Sequence, residues 1–585
     1  KVHVGQGLEQ HHLVAVHFAL TPQAFKFGFA DRNAPLVGQI VQRGKACVVT
    51  GAVVFRLRIS EAGTSTESGP EDVFAAINLP RVAGLVRRVS TFDGAEIHVF
   101  ALSDDEGDNM RSINVLSHDS TLCSLASAGT DVRFYMQARR NVLNRAIEDI
   151  SLRRGIDVRI VDTALLSVEE LRHDVDCHPI QVMKLSETNP ATVDDGFDCM
   201  VVGFGDTGRD ALAFLYEYGS FVSSRTTPEM TVAAPFSATV VDPHVDNVLG
   251  AYMAAHEALR GNRCFGFVNA GYASEAFYDI LRAHAATLKY VVIATGDDEE
   301  SLSTGLRIFE YVRRLRADGD ISRLRIMVRC HAPERRNYMQ SVIDHYNEGL
   351  GQVQPVFRLF GCAGDIFTEP LVVRNRYEDM GRAFLDSYCR IAEQPNVGWR
   401  MRRDKAALPG AGGVMLDSLR GLRRKESQDI SNAMHAQTKI EIMRRVLGGD
   451  DRLADFVSRY FGADGKTRRK GEFGSITYPG LSEAENRLVA NLARLEHLRW
   501  NAAHEMLGYT TADDDGQLCC DERSRTHNCL TAWEALDGKS VSVRDAEGWP
   551  CDYKAYDYAV VDTTVSLYGK MRKESENIRK AGLPI

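Results

Sequence analysis

From residue 197 to about 330 the chain alternates short apolar runs with longer stretches of helical period. The runs are CMVVGFG, SATVVD, RCFGFVN, KYVVIAT and RLRIMVR, and the stretches between them repeat apolar residues at three- and four-residue spacing. Strands alternating with helices predict a parallel sheet covered on both faces. The same succession is found earlier in the chain. KVHVGQG, AFKFGFADRN, KACVVTG, EIHVFALSDDE and DVRFYMQAR match the later runs in order, at an offset of roughly two hundred residues. Five elements in register predict a duplicated domain whose two sheets superpose, Gly5–Gly7 on Gly203–Gly205 and Asp104 on Asp297. The expected class is therefore α/β. Two tandem doubly wound parallel sheets occupy 1–180 and 181–404, with 158–180 as the linker. KAALPGAGG at 405–413 breaks the pattern, so 405–477 reads as a helical linker region and 478–585 as a small, mainly helical domain.

Candidate chemistry falls at the strand ends, where such sheets bind ligands. GFGDTG places Gly203, Gly205 and Gly208 at Rossmann spacing, with Asp206 and Thr207 opening the helix. The first glycine serves the tight turn, the second lets a pyrophosphate approach the backbone, and the third lets the helix pack close. Asp242 ends the next strand, where a carboxylate can accept from both ribose hydroxyls. Thr295, Gly296 and Asp297 end the fourth strand and complete the cofactor-binding set. The first copy keeps Gly5, Gly7 and Asp31, but Gln10 replaces its third glycine. The pairs Asp104–Asp105 and Asp297–Asp298 fit helix N-capping better than metal ligation.

Composition narrows the function classes. With 585 residues the chain exceeds one core. Its 70 Lys+Arg against 79 Asp+Glu give a net charge of −9, which offers no nucleic-acid footprint. No run of eighteen apolar residues occurs, and the 12 Cys lack any CxxC pair, so reduced thiols in the cytoplasm are expected. The chain opens on KVHVGQGLEQ without Met, which reads as a start inside a longer protein, so an upstream membrane segment would place it at the inner face of a membrane.

The order of glycines, acidic second strand, ATGDDE fourth strand and basic fifth strand resembles the RCK (TrkA N-terminal) domains over about 1–140 and 197–395. That resemblance implies binding of NAD(H) or of an ATP/ADP-type nucleotide, homo-oligomers, and gating of an attached or partner membrane channel or effector rather than catalysis. A second resemblance covers about 478–572. LARLEHLRWNAAHEMLGY, RTHNCLTAWEALDG and DYKAYDYAVVDTTVSLYGKM are similar to the RyR (ryanodine receptor repeat) domain, with Tyr509 where that pattern has Trp. It implies a ligand site at Glu496, His497, Arg499, Trp500, Trp533 and Asp557. Trp500 and Trp533 suit aromatic walls for a purine and Arg499 a phosphate partner, and equally a core with a structural charge network. Neither a metal nor a catalytic residue is assigned. The reading is a nucleotide-sensing regulator. An NAD-dependent oxidoreductase is the alternative, although no substrate domain with an obvious base follows, and an oligomeric scaffold with vestigial sites is the third.

Overall fold

A computed structural model describes strands at 53–59 and 71–76 and then, with short gaps, residues 96–147, 157–372, 380–384, 416–461, 476–512, 520–537 and 553–580. Gly5, Gly7, Asp31, Asp104 and the KAALPGAGG boundary lie outside the described residues.

The central sheet is built from six strands in a β–α alternation. These are β6 (Phe197–Val202), β7 (Phe236–Asp242), β8 (Phe265–Asn269), β9 (Leu288–Ile293), β10 (Arg325–Arg329) and β11 (Phe357–Phe360). Every pairing is parallel, in the order β11-β10-β9-β6-β7-β8. That is the doubly wound order, with the crossover switch between β6 and β9. All six residues of β6 are buried, which is why FDCMVV has no polar alternation beyond Asp198. Helices α6 (Glu275–His284), α7 (Asp298–Leu315) and α8 (Pro333–Leu350) cover one face around Met200, Val291, Ile308 and Ile343.

The other face is covered by parts of the chain far apart in sequence. Helices α3 (Thr163–His173) and α4 (Asp206–Tyr218) lie on it. They share one continuous core with α9 (Leu416–Leu447), α10 (Asp450–Tyr460), α11 (Glu483–Met506) and α12 (Tyr553–Lys580). The C-terminal helices therefore pack on the sheet unit. Helix α11 starts just after Ser482. The Ser482 side chain accepts from Glu485 N, and Glu485 Oε2 accepts from Ser482 N at 2.8 Å, forming a capping box. A small sheet of β12 (Thr510–Thr511), β13 (Cys520–Asp521) and β14 (Thr526–His527) follows.

The N-terminal sheet departs from the expected copy. It is formed by β1 (Val53–Ile59), β2 (Glu71–Ala76), β3 (Glu96–Ala101), β4 (Asp131–Gln137) and β5 (Asp157–Val161), in the order β2-β1-β3-β4-β5. The strands β3, β4 and β5 are parallel and match β9, β10 and β11 of the central sheet. Beside β3, however, where β9 has parallel β6, runs an antiparallel β1–β2 pair. The expectation of two superposable sheets is thus corrected. Only the carboxyl half of the duplication is shared by the described strands. The supposed linker at 158–180 also changes role. Its first residues complete β5, and its next are α3.

Candidate functional site

The glycine turn closes β6 onto α4. Gly203 has φ +93°, and a Cβ there would lie 2.3 Å from Ala294 O, so the turn demands glycine. A Cβ at Gly208 would stand 1.9 Å from Gly203 O, which is the close helix–strand approach the third glycine serves. Gly205 is different: a Cβ there meets nothing within 4 Å. It is the N-cap of α4 and offers no side chain to the first-turn amides.

That open space belongs to a cavity of about 410 Å³ at the carboxyl ends of the strands. Gly205, Asp206, Thr207, Asp242, Thr295 and Gly296 line it, so six of the sequence candidates come together. Thr207 is 2% exposed, and its hydroxyl has no hydrogen-bond partner. Asp242 is fixed by the turn it serves. Phe204 N donates to its Oδ2 at 2.7 Å and His244 N to its Oδ1 at 2.6 Å. The Tyr272 hydroxyl also donates to Oδ2 at 3.4 Å, so Oδ1 is the oxygen that keeps acceptor capacity for a ribose hydroxyl.

Asp297 and its neighbour divide the work. Asp297 caps α7, accepting from Glu300 N at 2.8 Å, and that bond holds its carboxyl below the usual range. Asp105 caps Glu106–Leu116 in the same manner. Asp298, not Asp297, lines the cavity, and it accepts from His331 N at 2.8 Å and Ala332 N at 2.9 Å.

The cavity also has walls the sequence reading missed. Arg329 and His331 stand at the end of β10, Ser301 lies on the first turns of α7, and Thr163 and Ala164 open α3. The signal for the first two was present in the basic end of RLRIMVRCH. Thr163 gave none, because α3 reads as a linker until its packing is seen. Three helix N-termini thus meet at one hollow. Asp162 caps α3 and Asp297 caps α7, whereas no side chain caps α4.

The N-terminal sheet reaches the glycine turn through Arg139, just beyond β4. Its guanidinium contacts Asp162 Oδ2 at 2.8 Å, Asp210 Oδ2 at 2.7 Å and Asp206 Oδ1 at 3.3 Å. Arg209 pairs with Asp206 from within α4. Both cations offset carboxylates that would repel a phosphate at the turn.

The C-terminal candidates fall elsewhere, and for Arg499 the geometry is that of a structural charge network. Arg499 is fully buried. It meets Glu217 Oε1 at 2.6 Å and Glu496 Oε1 at 2.7 Å, and donates to Ser431 Oγ at 2.9 Å and to Asn432 Oδ1. Arg172 joins Glu217 at 3.0 Å, and Lys439 joins Glu496 at 2.7 Å. Burial pushes the Glu496 carboxyl up, but Arg499 and Lys439 outweigh it and hold its pKa at about 2. The guanidinium offered as a phosphate partner is therefore committed to joining α11 to α4 and α9.

Trp500 is half-buried, its ring 3.9 Å from that of His504 and 4.9 Å from that of His527. Trp533 is buried beside Tyr558 at 6.2 Å, with the Lys554 ammonium 5.1 Å from its ring centre. His497 stands between the two tryptophans, its Nε2 on Thr531 O at 2.9 Å and its Nδ1 3.4 Å from Asp557 Oδ2. Burial works against its charge, but Asp557 outweighs burial and holds its pKa above the ordinary value.

Among the described residues no group of three or more His, Cys, Asp or Glu is placed to hold a metal ion, and no helix is long and apolar enough to cross a membrane. No family model matches the chain, and no curated protein or solved structure matches it.

Proposed function

We propose that the protein is a non-catalytic nucleotide sensor, binding a dinucleotide or an adenine nucleotide in the cavity at the ends of β6, β7, β9 and β10. One observation carries the reading. A glycine turn with room at Gly205, an uncapped helix N-terminus and a strand-end carboxylate at Asp242 open into the same hollow. Backbone amides and helix dipole favour a phosphate there, and the carboxylate suits ribose. The resemblance to RCK domains supports the same reading, with a homo-oligomer acting on a membrane channel or other effector.

The relay to the C-terminal helices has a physical candidate. Helices α3 and α4 both begin at the cavity, with Thr163 and Asp206. They end at Arg172 and Glu217, which join Arg499 and Glu496 of α11. A ligand that moves the helix starts biases the charge network at their far ends. In this reading the RyR-like segment is a responder, and its tryptophans are packing.

Calorimetry with NAD(H), ATP and ADP tests the proposal on the wild type and on Gly205→Val. The valine fills the open space without touching the packing, so the fold should melt unchanged while binding is lost. Equal affinity of both proteins for every nucleotide would remove the site. Turnover of nicotinamide with alcohols, aldehydes or keto acids, dependent on Asp242, would favour the oxidoreductase reading instead.

A further inference from the structure

The strands β7, β6, β9 and β10 stand side by side, so the cavity runs across three strand spacings, about 14 Å, from Asp242 to Arg329. Its two ends differ in chemistry. The end at β7 has the carboxylate suited to ribose. The end at β10 has the Arg329 guanidinium, the His331 ring, the hydroxyls of Thr163, Thr295 and Ser301, and the Asp298 carboxylate, whose oxygens accept from His331 N and Ala332 N. Between them, at the uncapped start of α4, is the unpartnered, buried hydroxyl of Thr207. A nicotinamide dinucleotide would have to seat its second ribose and its ring at the β10 end. Large apolar side chains, which ordinarily bury such a ring, do not line that end. In the oxidised cofactor the ring is itself a cation, set against Arg329. A chain of phosphates fits the same groups, since guanidinium, hydroxyls and helix N-termini all favour anionic oxygen.

We infer that the cavity takes a nucleoside di- or triphosphate, with its ribose on Asp242, its first phosphates at Thr207 and the start of α4, and its terminal phosphate at Arg329 beneath the first turn of α3. This deepens the nucleotide reading above and rests on it. Because Thr163 and Ala164 precede the central sheet in the chain, the terminal phosphate would touch both the central unit and the segment that follows the N-terminal sheet. The ligand would thus report the length of its phosphate chain.

Isothermal titration of the full chain with AMP, ADP, ATP, NAD+ and NADH tests this. ADP and ATP should bind at least tenfold more tightly than AMP or either dinucleotide. Arg329→Gln should weaken ATP by about tenfold or more and AMP by less than threefold, the loss expected of a charged hydrogen-bonding partner. Thr207→Val, which keeps the side-chain shape, should weaken ADP and ATP while leaving the melting curve in place, and it serves if the arginine variant fails to fold. NAD+ or NADH binding more tightly than ADP, or neither variant altering ATP affinity, overturns the phosphate-chain inference and leaves a nucleotide site standing. A wild type that binds none of the five overturns both.

Discussion

Replacing Arg499 by methionine separates its two readings. If Arg499 met a ligand phosphate, the change would weaken binding and spare the fold. The structure predicts the reverse. Breaking a buried ion pair by removing one partner ordinarily costs about 3–5 kcal/mol. Here Arg499 donates to Glu217, Glu496, Ser431 and Asn432. Its loss leaves Glu217 with Arg172 and Glu496 with Lys439, two balanced pairs. The cost should therefore fall near the lower bound, about 3 kcal/mol. At about 2.1 cal/mol/K of unfolding entropy per residue, a cooperative unit of roughly 400 residues shifts by about 1 °C per kcal/mol, so the melting temperature should drop by about 3–4 °C. Glu496→Leu should be worse, because it leaves Arg172, Arg499 and Lys439 facing Glu217 alone. Thermal melts and urea titrations of both variants, run beside a nucleotide titration, give the ranking. A loss below about 1 kcal/mol for Arg499→Met, the range of an exposed pair, would refute the reasoning, as would a leucine variant more stable than the methionine one.

Arg139→Gln should weaken nucleotide binding by roughly tenfold, since Asp206 and Asp210 lose the cation that offsets them, and adding Asp206→Asn should restore much of it. Gly208→Ala should lower stability by about 1–3 kcal/mol or more in a chemical melt, because its Cβ would lie 1.9 Å from Gly203 O. Two buried groups should oppose each other in a pH series. Burial raises Glu170, on α3, to about 7, so its contribution to stability is greatest below the ordinary carboxyl range and is lost as pH rises through 7. Burial lowers His178 to about 4, so its contribution is greatest above 6.5 and is lost as pH falls through 4. Each effect is on the order of 3 kcal/mol. Denaturation of Glu170→Gln from pH 7 to 4 should show stability falling more steeply than in the wild type, and His178→Asn should show it rising.

Legibility in the sequence followed the range of the forces involved. The central sheet could be read because its strands are apolar throughout and its glycines recur at a fixed local spacing, Gly208 packing on Gly203 within the same turn. The cap at Asp297 and the capping box at Ser482 are local for the same reason. The antiparallel β1–β2 pair went unseen because the duplication was matched through apolar runs, none of which includes residues 53–59 or 71–76. Arg499 stayed undecided between a phosphate partner and a structural network because an arginine on a helix looks the same facing solvent or facing Glu217, and nothing near residue 499 announces a partner on α4. Thr163 joined the site only through the return of α3, which no spacing encodes.

The bond between Arg499 and Glu217 spans 282 residues of chain. During synthesis at roughly 5–20 residues per second, the central sheet, complete at Phe360, would wait about 7–28 seconds for Arg499 to be made. Through that interval Glu217 has Arg172 alone, and the part of α4 that packs on α11 has only a holding partner or solvent to face. A fragment ending near residue 404 would stay in that state permanently. Such a fragment should be soluble only with a chaperone or with the segment 416–580 supplied in trans, and co-expression of the two pieces would show whether the protein can be completed after release.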